Sequence, residues 1–154
     1  MAGLGAKSVF DQVQGLILQT GLFARVNTSE PASAPVDGPH CAVYVRGVGP
    51  VPSQSGLDST SGVVFLFARL YLKGDQEPRD MIDPSIVAAT DTIMADLSAD
   101  LTLGGTVGAV DLLGGLTGTP LSAEAGWIEQ DGTRFRTMDI TIPVLIHDAW
   151  PQAV

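Results

Sequence analysis

The chain has 154 residues, 45% hydrophobic and 16% charged, a length that suits one domain over residues 1–154 whose core needs no disulfide or metal. The composition is too apolar for a disordered chain. Seventeen acids against eight bases give a net charge of −9, which argues against charge-driven binding to phosphate backbones.

Eight of the acids fall between positions 75 and 111, with Arg79 as the only base there. Such a run reads as a solvated helix face with its flanking loops. It also reads as an acidic surface that repels nucleic acid or meets a basic partner. Cys41 is the only cysteine, so no intrachain disulfide forms, and its apolar neighbours Ala42 and Val43 make it a small core residue. The longest apolar run covers residues 63–68, far short of the ~20 residues of a membrane helix. No secretory signal is read at the N-terminus, so the chain is expected in the cytoplasm or in a particle assembled there.

Residues 5–20 are expected to form a helix, with Val9, Phe10, Val13, Leu16 and Ile17 on one stripe and Gly21 ending it. Residues 23–27 suggest a short strand. Residues 28–39 hold three prolines and read as a loop. A strand is expected over 41–48, and a second long loop over 49–62, rich in Gly, Pro and Ser. The strongest strand signal is 63–73. Val64, Leu66, Ala68, Leu70 and Leu72 make one wholly apolar face; Phe65, Phe67, Arg69 and Tyr71 lie on the other. Large aromatics on the second face suggest a strand covered on both sides, the second time by another subunit.

A second helix is expected to open at Asp83-Pro84, with Asp83 as N-cap and Pro84 as first helical residue. Its buried stripe is Ile86, Thr90, Ile93, Met94, Leu97 and Leu101. Residues 107–113 read as a strand and 114–120 as a flexible turn. Residues 122–130 and 133–147 form a hairpin about Asp131-Gly132, a dipeptide suited to a turn with φ > 0 at both positions. Pro143 removes a ladder donor, so an edge, a bulge or an end of pairing is expected near it. The fold class is α+β: a mostly antiparallel sheet of four or five strands, two main helices packed on it, and long surface loops.

Catalytic and cofactor motifs are missing. There is no phosphate-cradling G-x-x-x-x-G-K-[ST], no G-x-S-x-G elbow and no C-x-x-C or H-x-x-x-H spacing. The glycines of Gly47-Val48-Gly49 do not continue into a dinucleotide fingerprint, because Pro52 stands at the third position. Asp96 and Asp100 sit at helical i, i+4 spacing, but exposed neighbouring acids are usually only solvated. His40 and His147 are the only histidines; a metal site shared between them is conceivable without any supporting spacing. No catalytic residue, cofactor or metal is assigned.

Several segments occur together in a telling order. They are Pro50-Val51-Pro52, Ser55-Gly56-Leu57-Asp58-Ser59-Thr60-Ser61, Val63-Val64-Phe65 and Arg69-Leu70-Tyr71. Glu77-Pro78-Arg79-Asp80-Met81-Ile82-Asp83-Pro84 and Leu103-Gly104-Gly105 follow. The order continues through Val110-Asp111-Leu112-Leu113-Gly114, Thr119-Pro120-Leu121-Ser122-Ala123, Ala125-Gly126-Trp127, Ile142-Pro143-Val144 and Asp148-Ala149-Trp150. Over residues 50–150 this resembles the tail terminator proteins of long-tailed, non-contractile phages of actinobacteria.

The resemblance implies a structural virion protein rather than an enzyme. It implies a homo-oligomeric ring, six-membered, at the head-proximal end of the tail tube, which stops tube growth and offers the head-joining surface. Implied partners are the tail tube protein, the head-completion or connector protein and the end of the tape measure; DNA passes through the lumen without specific binding. Closed rings use different patches on the two sides of each subunit. On that reading Pro52, Ser55, Leu57, Asp58 and Ser59, with residues 32–39, are expected to make axial contacts. Phe65, Phe67, Arg69 and Tyr71 are expected at the subunit interface, and Asp75, Glu77 and Asp80 facing the lumen. The alternatives are a head–tail adaptor, a tail tube subunit, or a small α+β ligand-binding module or enzyme.

Overall fold

The computed structural model describes residues 3–23, 26–27, 39–75, 78–105 and 107–153. Two helices, α1 (Ala6–Gln19) and α2 (Ile82–Ala99), accompany six strands. The strands are β1 (Val26–Asn27), β2 (His40–Pro50), β3 (Ser59–Lys73), β4 (Ala109–Val110), β5 (Ser122–Gln130) and β6 (Thr133–Pro151). The α+β class is as expected. Among the described residues the strand count is six rather than four or five, because β1 and β4 are two-residue strands supported only by their neighbours.

The sheet runs β1-β2-β3-β6, and β6 then pairs with both β4 and β5 along different stretches. Among the described strands only β1 and β2 pair in parallel. Antiparallel β3 and β6 form the spine, in one register from Gly62↔Ile146 to Lys73↔Phe135, with a register shift between Thr60 and Gly62 before the last pairs, Thr60↔Trp150 and Ser59↔Pro151. Val64, Leu66, Ala68, Leu70 and Leu72 of β3 join Met138, Ile140, Ile142 and Val144 of β6 on one buried face. Onto that face pack Val9, Val13 and Ile17 of α1 and Ile86, Ile93 and Leu97 of α2. A period of two on the sheet therefore meets a period near 3.6 on both helices.

Three local expectations change. The long loop expected over 49–62 is strand at both ends: Gly49 pairs with Val63 and Pro50 with Gly62, and Ser59 and Thr60 pair with β6. Only residues 51–58 connect β2 to β3, through a single 3-10 turn, Pro52–Gln54. Gly, Pro and Ser disfavour strands intrinsically, but here tertiary pairing overrides the preference. Second, α2 begins at Ile82 after a 3-10 turn, Arg79–Met81. Asp83 makes no cap; its carboxylate accepts from Arg136 Nε at 2.9 Å. Third, residues 107–113 yield only β4, since the chain turns away from β6 after Asp111, whose carboxylate organises the following loop.

Other expectations hold. Asp131 and Gly132 turn the hairpin with φ of 53° and 76°, joining β5 and β6 from Gln130↔Thr133 to Ser122↔Thr141. Gly21 ends α1 with φ 71°. Pro143 sits where β6 changes partner, after its pairing with β5 ends at Thr141 and before β4 begins at Val144. Its carbonyl accepts from Asp111 N on that flank. In an antiparallel strand a residue's N–H and C=O share one side, so the missing donor falls in the gap and the β3 ladder loses nothing. β6 runs on past His147 through Asp148, at φ 52°, to place Trp150 against Gly62. A Cβ on Gly62 would lie 2.8 Å from Leu4 and 2.9 Å from the Trp150 ring, so this crossing requires glycine.

Candidate interaction surfaces

Three surfaces gather the functional candidates: two at opposite ends of β3, about 45 Å apart by its 15-residue length, and one on the sheet face between them.

At the first end, the 51–58 connection is knitted shut. Ser55 Oγ donates to Val51 O and accepts from Ser61 N. Buried Ser61 Oγ donates to Gln54 O and accepts from Asp148 N, while Ser59 Oγ donates to Asp148 Oδ1. Asp58 O accepts from Gln152 N at 2.8 Å. Beside this turn lies the loop after β4, organised by buried Asp111. Its carboxylate accepts from the backbone N–H groups of Gly114, Leu116 and Thr117 and from Thr117 Oγ1. Burial alone would raise the Asp111 carboxyl, but those four donors outweigh it and hold it below the usual carboxylate range. Ser53 Oγ donates to Leu116 O across the two loops. Rigid backbone thus presents Leu57 and Leu113 to solvent at 92% and 91% exposure. Of the expected axial residues, Pro52 opens the 3-10 turn, Ser55, Asp58 and Ser59 brace the loop, and Leu57 protrudes. Residues 32–38 lie outside the described residues.

The sheet face away from the helices carries Phe65, Phe67, Arg69 and Tyr71, as the alternation predicted. Tyr71 is buried edge-on against Phe135, with ring centroids 6.1 Å apart. Phe65 packs on Val51, Val63 and Leu145. Phe67 and Arg69 belong to a stack that crosses three strands. Arg46 lies 5.3 Å from the Phe67 ring centre, Phe67 meets Tyr44 edge-to-face at 5.8 Å, and Arg69 lies 5.8 Å from the Tyr44 ring. Arg69 then pairs with Asp139 of β6 at 2.6 and 3.1 Å, which raises its pKa further above the ordinary arginine value. An open groove of about 340 Å³ runs over this stack, lined by Arg46, Phe67, Ser122, Glu124, Asp139 and Thr141. Tyr44 and Arg46 were not singled out in the sequence; their signal was the phase opposite Val43 and Val45 in β2.

At the far end, Asp75 lines a cleft of about 580 Å³ with Gly74, Arg79, Asp83, Trp127 and Arg134. Asp80 is exposed in the adjacent 3-10 turn, and Glu77 lies outside the described residues. Trp127 is the unexpected centre of this end. Arg134 lies 4.2 Å and Arg136 4.9 Å from its ring, and the ring edge rests on Gly74, where a Cβ would come within 3.0 Å. Arg79 and Arg134 thus share the cleft with Asp75, one of the acids expected to line a lumen.

The two histidines cannot share an ion. His40 faces Tyr71 and His147 follows the Ile146↔Gly62 pair, which separates them by about 30 Å along β3. Among the described residues no three His, Cys, Asp or Glu side chains converge on a metal position. Cys41 is buried, and burial pushes its thiol up to about 12. No described helix is long and apolar enough to cross a membrane. No protein-family model matches the sequence, and no curated protein matches it at significant similarity.

Proposed function

We propose that the protein is a structural subunit of a phage tail, a terminator that forms a ring at the head-proximal end of the tail tube. The reading begins from the sequence resemblance to that family. The observation that supports it best is the pair of nearly fully exposed leucines, Leu57 and Leu113, on two loops braced against each other at one end. Ordering bonds normally serve to keep a presented surface in one shape, and exposed leucine on rigid backbone suits burial by a partner. Contact of this end with a neighbouring ring is axial. The groove over Phe67 and Arg46, on the sheet face, then serves lateral contact within the ring. A subunit with two unlike surfaces suits a heterologous, closed assembly. A lumen lined from the far end would carry both charge signs, because Asp75 shares its cleft with Arg79 and Arg134.

The test is negative-stain microscopy of the purified protein with isolated tail tubes, and of the protein alone. Caps on one tube end, with rings but no tubes in the protein-only sample, are expected. Long tubes in that sample would instead identify a tube subunit. Particles that neither ring nor cap would overturn the assembly reading and favour an adaptor or a ligand-binding module.

A further inference from the structure

Independently of the ring, we propose that the outer edge of β5 accepts an extended segment of a partner protein as an added strand. In that complex Arg134, lying over Trp127, receives an acidic side chain of the segment.

β5 pairs with β6 from Ser122 to Gln130 without a register shift, and no described strand lies on its other side. Edge strands are ordinarily blunted by proline, lysine, a bulge or shortness. β5 has no proline, lysine or bulge and is nine residues long; its only charges are the exposed Glu124 and Glu129. β2, whose outer side is paired with β1 only at Cys41 and Ala42 among the described residues, differs, since a bulge between Val45 and Gly47 breaks its register and Pro50 ends it. An unblunted edge is a template for strand addition, in which backbone bonds supply affinity and neighbouring side chains supply selectivity.

The neighbouring side chains point to the partner's chemistry. Trp127 is 44% exposed, already immobilised by Gly74 and the two guanidiniums. Arg136 is committed to Asp83 and to Gly126 O. Arg134 makes no ion pair with any described carboxylate. It turns from Glu129, its neighbour in register, to lie over the ring. A stacked guanidinium keeps its N–H edge for a carboxylate. A strand added about 4.8 Å beyond β5 brings a side chain opposite Trp127 within reach of that edge. Trp and Arg are also the residue types that most often dominate binding energy at interfaces.

The test uses the whole chain and two capped heptapeptides, Thr-Val-Thr-Glu-Thr-Val-Thr and its Gln analogue. Affinity is read by calorimetry and backbone protection by hydrogen exchange. The Glu peptide is expected to bind at least about tenfold more tightly, and both peptides to protect amides within residues 122–130. Arg134→Gln is expected to bring the two affinities together while leaving that protection, and Arg134→Lys to restore part of the preference. Equal affinities on the native chain, no binding, or binding without protection of β5 would overturn the proposal. So would protection that rises with protein concentration alone, which would mean a second copy occupies the edge. A chain that caps tubes while its β5 edge stays inert would sink this proposal and leave the assembly reading standing.

Discussion

Asp111 shows how one side chain can hold a loop. Four donors converge on its carboxylate, and its pKa is depressed in the folded state. A depressed carboxylate stabilises the fold above its unfolded pKa of about 3.9, and that contribution is lost as pH falls through the folded value. Asp111→Asn is expected to lower stability by about 1–3 kcal/mol at pH 7. It should lose less than the native chain between pH 5 and pH 2, because this titration is gone. Urea melts at both ends of that range measure the difference. Cys41 gives a second residue-scale expectation. A buried thiol shifted to about 12 holds almost no thiolate at pH 8, so a disulfide reagent should label it only at the rate of unfolding. Fast labelling of the native chain would contradict its place beneath α1.

At the scale of elements, the turn and pairing of the β5–β6 hairpin were legible, although β6 runs four residues past its expected end at His147. A two-residue turn at Asp131-Gly132 fixes Gln130 opposite Thr133, and counting back places Trp127 opposite Arg136, as found. Gly132→Ala is expected to cost about 1 kcal/mol, because alanine must adopt φ near 76° there. The apolar phase of β3 was equally clear, and Leu66→Ala should cost about 2–5 kcal/mol by opening a cavity between sheet and helices; chemical denaturation measures both. The ends of β2 and β3 were not legible. Their Gly, Pro and Ser are held in strands by partners distant in sequence, which no local preference reports. The start of α2 was missed for a related reason: Asp83 looks like a cap in isolation, yet Arg136 lies 53 positions away and claims its carboxylate. Of the candidate surfaces, the phase of Phe65, Phe67, Arg69 and Tyr71 was readable. That Tyr71 is covered by Phe135, and that Arg46 rests on Phe67, depended on strand order.

For the whole molecule, the proposed assembly predicts separable effects. Replacing Leu57 and Leu113 together with Ser should leave the melting temperature within a few degrees, since both are almost fully exposed, and should abolish capping of tail tubes in microscopy. Unchanged capping would move the axial contact elsewhere.

The β3–β6 ladder has a mechanical meaning as well. It joins the leucine-bearing loops to the Trp127 end through two long antiparallel strands, paired in one register from Gly62↔Ile146 to Lys73↔Phe135. Tension between those ends runs along the strands, so it loads the rungs side by side instead of one after another. A molecule built this way resists stretching while its shorter edge strands remain free to yield, and it would carry force between its two ends as a stiff strut.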